Sequence, residues 1–473
     1  MKKGAILLSV VTAFTVSAFA SSNSALEAQI QDLQKQLKTL EKKVKSNHKK
    51  ASEARMMANG NHLKFDVDFR TTMDKIDYTF ADGTHAKNNS LLANRLLINM
   101  KYDAGDNVRF YGTLEFDKAF GFSGTIANTQ NASFDWVTNE NLLNEGVNVK
   151  EAYWLYSNDT FLGKNIAWTA SIGRRPSTDG LGINFREGNP RKSAIASTVN
   201  VEFDGASFRW NLGRVTPLTG GWFKLCLGRG ITSAKPRFSF DGADYAKDPN
   251  FENSDMIGFI FVPYDDGQYS LHTNYAKSYD MIGYDTNASG SVDPSLGFKD
   301  FGDLDLATVM FKADGIGDGI NDYLDDTIFF ASYSQSKTHP KAGKAMLGST
   351  KDETGHSYWV GLQMPGVFAD DARWGIEYNH GSKYWRSVTY AEDTMIGSKI
   401  AARGDAKEIY WIKPVTKSLS MSLRYTRIDY DYTGSNAFFG ADGNPVSIAD
   451  AKAAGMNPVE KAEDFRVLFR YKY

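Results

Sequence analysis

Between Leu63 and Tyr473 the chain repeats one pattern: segments of about ten residues in which apolar and polar side chains alternate, separated by Gly, Asp, Asn and Pro. The first segment, LKFDVDFR, sets Leu63, Phe65, Val67 and Phe69 against Lys64, Asp66, Asp68 and Arg70. The last, DFRVLFRYKY, sets Phe465, Val467, Phe469, Tyr471 and Tyr473 against Arg466, Arg470 and Lys472. A period of two is that of a β-strand, whose successive side chains point to opposite faces. Many such strands, each long enough to cross a bilayer at a tilt, predict an all-β chain: a transmembrane antiparallel β-barrel.

Counting the segments gives about 16 strands, and a single-chain barrel with both ends on one side needs an even number. TVNVEF (residues 198–203) and ASFRWNLG (206–213) read as the sixth and seventh, joined at Asp204-Gly205. Short turns such as DAGDN, PYDDG and KPVTKS alternate with long stretches at 72–90, 119–146, 174–196, 278–302, 335–355 and 431–462. GWFKLCLGRGITSAKPRFSF (221–240) either lies within the fourth long loop, leaving 16 strands, or adds a hairpin, giving 18.

The region before the barrel reads differently. Lys2 and Lys3, an apolar run from Ala5 to Val16, and Ala18-Phe19-Ala20 form a secretory signal over residues 1–20. Within 21–60, Leu26, Ile30, Leu33, Leu37, Leu40 and Val44 alternate spacings of four and three, the seam of a coiled coil. The expectation is a periplasmic helix that associates with copies of itself; a helix lying on the membrane is the alternative. Lys plus Arg number 54 and Asp plus Glu 56, so no basic excess points to nucleic acid. Cys226 is the single cysteine, which excludes an intrachain disulfide.

With its signal, coiled coil, strand array and aromatic last residue, and through the stretches GRRPSTDGLG and LCLGRG, the chain resembles an uncharacterised family of epsilonproteobacterial outer-membrane porin-like proteins, a domain of unknown function. The helical arm is more distantly similar to that of the phosphate-selective porins. The resemblance implies an outer-membrane porin of a Gram-negative bacterium, a homotrimer in contact with lipid and lipopolysaccharide, passing small hydrophilic solutes without a cofactor. The usual assembly signal ends in Phe; here it is Tyr473.

The third long loop carries the chemistry. In porins the loop at this place folds inward, and here it holds Arg174, Arg175, Arg186, Arg191 and Lys192 against Asp179 and Glu187. Folded in, it makes an electropositive constriction that favours anions. Left outside, its arginines bind lipopolysaccharide phosphates or only solvate the loop. Arg466, Arg470 and Lys472 are expected to face a water-filled lumen. ADGIGDGINDYLDD (313–326) offers oxygen ligands for calcium but lacks the spacing of a calcium loop, and reads equally as a turn. His380 and Ser382 are the nearest approach to a catalytic pair, so no enzyme is expected. The rival to a channel is an adhesin or envelope anchor with a plugged lumen.

Overall fold

The computed structural model describes residues 63–473 apart from 123–145, 177, 192–193, 235–241, 244, 248–251, 318, 367–368, 370 and 390–393. The signal segment and the seam from Leu26 to Val44 lie outside the described residues, as does Lys192. No described helix is long and apolar enough to cross a membrane.

The strands are β1 (Leu63–Phe80), β2 (His85–Gly105), β3 (Val108–Ala119), β4 (Asn148–Asn158), β5 (Trp168–Arg175), β6 (Val199–Asn200), β7 (Phe203–Asn211), β8 (Trp222–Ile231) and β9 (Ser254–Asp265). They continue as β10 (Tyr269–Tyr284), β11 (Phe298–Asp314), β12 (Ile328–Pro340), β13 (Thr354–Pro365), β14 (Arg373–Gly381), β15 (Val388–Thr389), β16 (Gly404–Pro414), β17 (Leu419–Tyr430) and β18 (Val459–Lys472). All but β6 and β15 close one barrel of 16 strands, each hydrogen-bonded to the next and β18 returning to β1. The closing pair is antiparallel from Asp68 opposite Lys472 to Phe80 opposite Val459.

An even count brings the start of β1 and the end of β18 to one rim, here the terminal rim. Turns on that rim are tight where the chain allows: Asp106 and Asn107 link β2 to β3 with positive φ of 48° and 68°, the twist that suits a two-residue hairpin. Most connections at the far rim are long. The Asp/Gly-rich stretch forms the terminal-rim turn between β11 and β12, where the Asn321 side chain caps the short helix Asp322–Asp325. No group of three or more His, Cys, Asp or Glu among the described residues is placed to hold a metal ion.

The count of 16 agrees with the sequence, but two memberships change. TVNVEF is not a wall strand: Val199–Asn200 pairs in parallel with Val388–Thr389, off the barrel ladder. Its Val199 and Val201 are buried in one cluster with Ile282 of β10, Leu304 of β11 and Phe439 of the β17–β18 loop, so alternation here faces the barrel interior and not lipid. WFKLCLGRGI instead enters the wall as β8, between β7 and β9. Asp204 and Gly205 lie inside β7 and make no turn. Residues 72–90 are mostly paired strand, with the turn confined to 81–84.

Side-chain exposure follows strand parity. On β18, Phe465, Phe469 and Tyr471 are exposed, while Arg466, Leu468 and Arg470 are buried. The outward series runs from the Lys461–Glu463 pair through Phe465, Val467 and Phe469 to Tyr471 and Tyr473, which is charge, then hydrocarbon, then interfacial rings. Toward the far rim, outward tyrosines donate to neighbouring carboxylates: Tyr378 to Asp405 at 2.7 Å and Tyr275 to Asp305 at 3.0 Å.

Val467→Arg puts a guanidinium in the apolar band and is expected to cost about 2–4 kcal/mol of unfolding free energy in liposomes. Val415→Arg, in the exposed β16–β17 turn, should stay within about 0.5 kcal/mol. Equal costs would mean that the outward face does not meet hydrocarbon.

Candidate functional site

Loop L3, residues 176–202, leaves β5 at the far rim and turns into the barrel. It carries one short helix, α1 (Ile183–Glu187), which ends at Gly188 in the left-handed conformation. β16 is seven strands from β5 in one direction round the ring and nine in the other. L3 nevertheless reaches it: Arg186 Nη1 lies 3.1 and 3.0 Å from the two Glu408 carboxylate oxygens. The loop therefore crosses the full width of the lumen.

Several wall residues hold it there. Glu187 accepts from Arg424 Nη2 of β17 at 2.7 Å and lies 3.2 Å from Arg186 Nε, 3.8 Å from Arg70 Nη1 and 3.9 Å from Arg470 Nη1. Arg470 of the closing strand donates to the Glu187 backbone carbonyl, where the last orphan acceptors of a helix need donors, and to Asn189 Oδ1 at 2.9 Å. Its other bonds go to Asp68 of β1, at 2.7 Å from Nε. Gln363 Nε2 donates to the Phe185 carbonyl at 2.9 Å.

Burial alone would raise the Glu187 carboxyl, but the guanidiniums of Arg424, Arg186, Arg70 and Arg470 hold it well below the usual glutamate range. These charges are as costly to bury singly as they are tolerable together.

Apolar packing completes the strap. Leu181, Ile183, Ile195 and Ala196 pack on Met310, Phe330 and Trp359 of the wall. The DGLG of L3 has a steric reason: Gly182 has φ 104°, and a Cβ there would come within 2.2 Å of the Trp359 ring. At Gly180 a Cβ would meet the Ala194 carbonyl oxygen at 2.4 Å, where the two arms of L3 run side by side.

A second inward loop, residues 382–403, meets the first. Lys399 bonds Glu377 at 2.6 Å and Glu408 at 2.7 Å, sharing Glu408 with Arg186. Arg403 donates to the carbonyls of Trp385, Thr433 and Gly443 at 3.0, 2.9 and 2.7 Å, tying this loop to the one between β17 and β18.

Residues 85–473 match a family described as "Protein of unknown function (DUF3373)". The chain belongs to this family. No curated protein matches the DUF3373 chain. Among solved structures it is similar to an anion-selective porin from Comamonas acidovorans, with 14% identity, 87% of this chain and 99% of that one covered, and a TM-score of 0.45. It is also similar to OprB of Pseudomonas putida, with 11% identity, 89% and 96% covered and a TM-score of 0.48. The trimer form of OmpT, an outer-membrane protein of Vibrio cholerae, gives 13% identity, 87% and 100% covered and a TM-score of 0.43.

The described basic residues expected at the constriction of the DUF3373 chain fall into three groups. Arg174 is the penultimate residue of β5 and shares the outward face of Ile172, 3.7 Å from Asp204; it does not enter the lumen. Arg186 enters it but is neutralised by Glu408 and Glu187. Arg175 and Arg191 form the third group, with Arg209 of β7 and Lys224 of β8. Arg175 lies over the Tyr153 ring at 4.0 Å, and Arg191 and Arg209 over Trp222 at 5.4 and 4.2 Å. Burial draws Arg191 down to about 10, so it is still cationic at neutral pH. Among the described residues, none of these four has a carboxylate within ion-pair distance.

Arg466 and Arg470 do face inward, but not into water. Arg466 is 1% exposed and bonds Asp74. Only Lys472 is exposed, donating to Asn189 Oδ1 at 2.7 Å; Asp179 accepts from Asn189 at 3.2 Å. These residues border a cavity of about 510 Å³ at the terminal rim, with Asp66, Asp68 and Arg191. His380 and Ser382 take separate partners: His380 pairs with Asp405 at 2.8 Å, and Ser382 accepts from the His356 amide. Sequence reasoning missed Glu377, Lys399, Glu408 and Arg424. The one available signal was the length of 382–403, a non-alternating stretch between two strand patterns.

Glu187→Ala leaves four guanidiniums facing one another and is expected to destabilise the barrel by about 3–5 kcal/mol, read by urea unfolding. Because the folded pKa of Glu187 is depressed, its stabilising effect is present above the unfolded glutamate range and is lost as pH falls through the folded value. Hydrogen exchange of residues 181–189 should therefore stay slow at pH about 5, near the unfolded range, and accelerate only in stronger acid. Acceleration already at that pH would contradict the assignment.

Proposed function

We propose that the chain is an outer-membrane diffusion channel for small hydrophilic solutes, narrowed by L3 and favouring anions. The observation that carries the reading is the pinning of L3 across the lumen of a 16-stranded barrel, a size that leaves an aqueous interior when loops do not fill it. Opposed charges cancel where Arg186, Glu187 and Lys399 meet the wall. Across the lumen, Arg175, Arg209 and Lys224 on the walls of β5, β7 and β8 have no ion-pair partner among the described residues. A water-filled channel with low-dielectric walls and one such side concentrates anions beside it. The channel assembles as a homotrimer through residues 21–60, on the periplasmic side, with its far-rim collar against lipopolysaccharide. It carries out no reaction.

A plugged anchor or adhesin is favoured by one feature, the pairing of β6 with β15, which joins two inward loops inside the barrel. Liposome swelling with sugars of graded size separates the two readings: size-dependent flux supports the channel, and its absence supports the anchor. Deleting residues 24–58 should release monomers; a surviving trimer would move assembly to the barrel wall.

In planar bilayers the reversal potential should favour anions. Joint Arg175→Ala and Arg209→Ala substitution should shift it toward cations, while Arg174→Ala, on the outward face, leaves it unchanged. A cation-selective parent protein would overturn the anion preference.

A further inference from the structure

Lys224 is 8% exposed and lies on the inward face of β8, and among the described residues its side chain makes no hydrogen bond or ion pair. An ammonium largely withdrawn from water without a partner is unfavourable, so its burial calls for an anion that the described residues do not supply. Arg175 comes close to the same condition: its Nη1 is buried without a hydrogen-bond partner.

Both residues line one cavity of about 90 Å³ between L3 and the wall of β7 to β10. Ser207, opposite Cys226 in the β7–β8 register, adds a hydroxyl. The remaining walls are largely apolar, including Val199, Phe203 and Ile260. The cavity is thus small, cationic at one side and greasy elsewhere. Thr198 and Asn274 also line it but are already hydrogen-bonded within the chain, so the free donors lie on one side only, whereas a hydrated inorganic oxyanion needs donors all round. A carboxylate joined to a short alkyl chain fits both parts, since the guanidinium fork and ammonium meet its oxygens while the alkyl chain meets Phe203 and Ile260.

We infer that this cavity is a binding site for a short aliphatic monocarboxylate, of the size of acetate to butyrate, held by Lys224 and Arg175. The site does not depend on conduction, and a plugged barrel would contain it equally. Binding and flux are therefore separate tests.

Cys226 lines the cavity two residues from Lys224 and is the chain's single cysteine, so a thiol reagent reports on this place alone. The full chain in detergent is labelled with a methanethiosulfonate in the presence of propionate, propionamide or inorganic phosphate. At propionate about ten times its Kd, labelling should slow about tenfold, with little effect of propionamide or phosphate. Lys224→Met keeps the length of the side chain, removes no bond and should abolish the protection; heat-modified gel migration verifies that this variant is folded. Equal protection by propionamide would overturn the role of charge. Equal or better protection by phosphate would overturn the carboxylate. Protection that persists in Lys224→Met, or is absent in the parent protein, would overturn the site.

Discussion

A strand edge in hydrocarbon leaves a row of N–H and C=O groups without partners, each costing several kcal/mol, and only closure removes both edges. Here closure is the pairing of β1 with β18, and much else depends on it. It makes the strand number even and brings both ends of the barrel to one rim, with L3 and most of the long loops at the other. It also brings Asp68 and Asp74 of the first strand beside Arg470 and Arg466 of the last, so the seam is fastened by ion pairs on its inner face as well as by its backbone.

The same seam holds L3. Arg470 bonds Asp68 with one part of its guanidinium and the end of α1 with another. Barrel closure and the placement of the strap are thus coupled through a single side chain. Around it, Glu187 gathers guanidiniums from β1, β17, β18 and L3 itself, an arrangement in which each charge is buried at the expense of its neighbours' company. Such a cluster is rigid because no member can leave without stranding another. It fixes L3 on one side of the lumen and leaves the cations of β5, β7 and β8 on the other.

Strand parity was legible in the sequence wherever one face meets lipid. Phe465 to Tyr471 could be sorted into outward and inward sets from their order alone, and the structure keeps that sorting. It failed at TVNVEF, because Val199 and Val201 alternate as a wall strand would while packing inside the barrel, largely against β10 and β11. It also failed to separate Arg174 from Arg175. These neighbours look alike in sequence, yet the last turn of the strand ladder sends one outward to Asp204 and the other into the lumen beside Tyr153.

The sequence by itself determined a transmembrane antiparallel barrel, its even strand count and which face of most strands meets lipid, because alternation with period two is a local property and lipid imposes it strand by strand. Only the tertiary structure decided which basic residues have no ion-pair partner among the described residues. Arg186 is cancelled by Glu408, 222 positions away, whereas Lys224 and Arg209 lie in plain strand patterns that gave no hint of a site. Electrostatic balance depends on which charges meet across the lumen, and those meetings are set by closure and by the path of L3, neither of which any local pattern encodes.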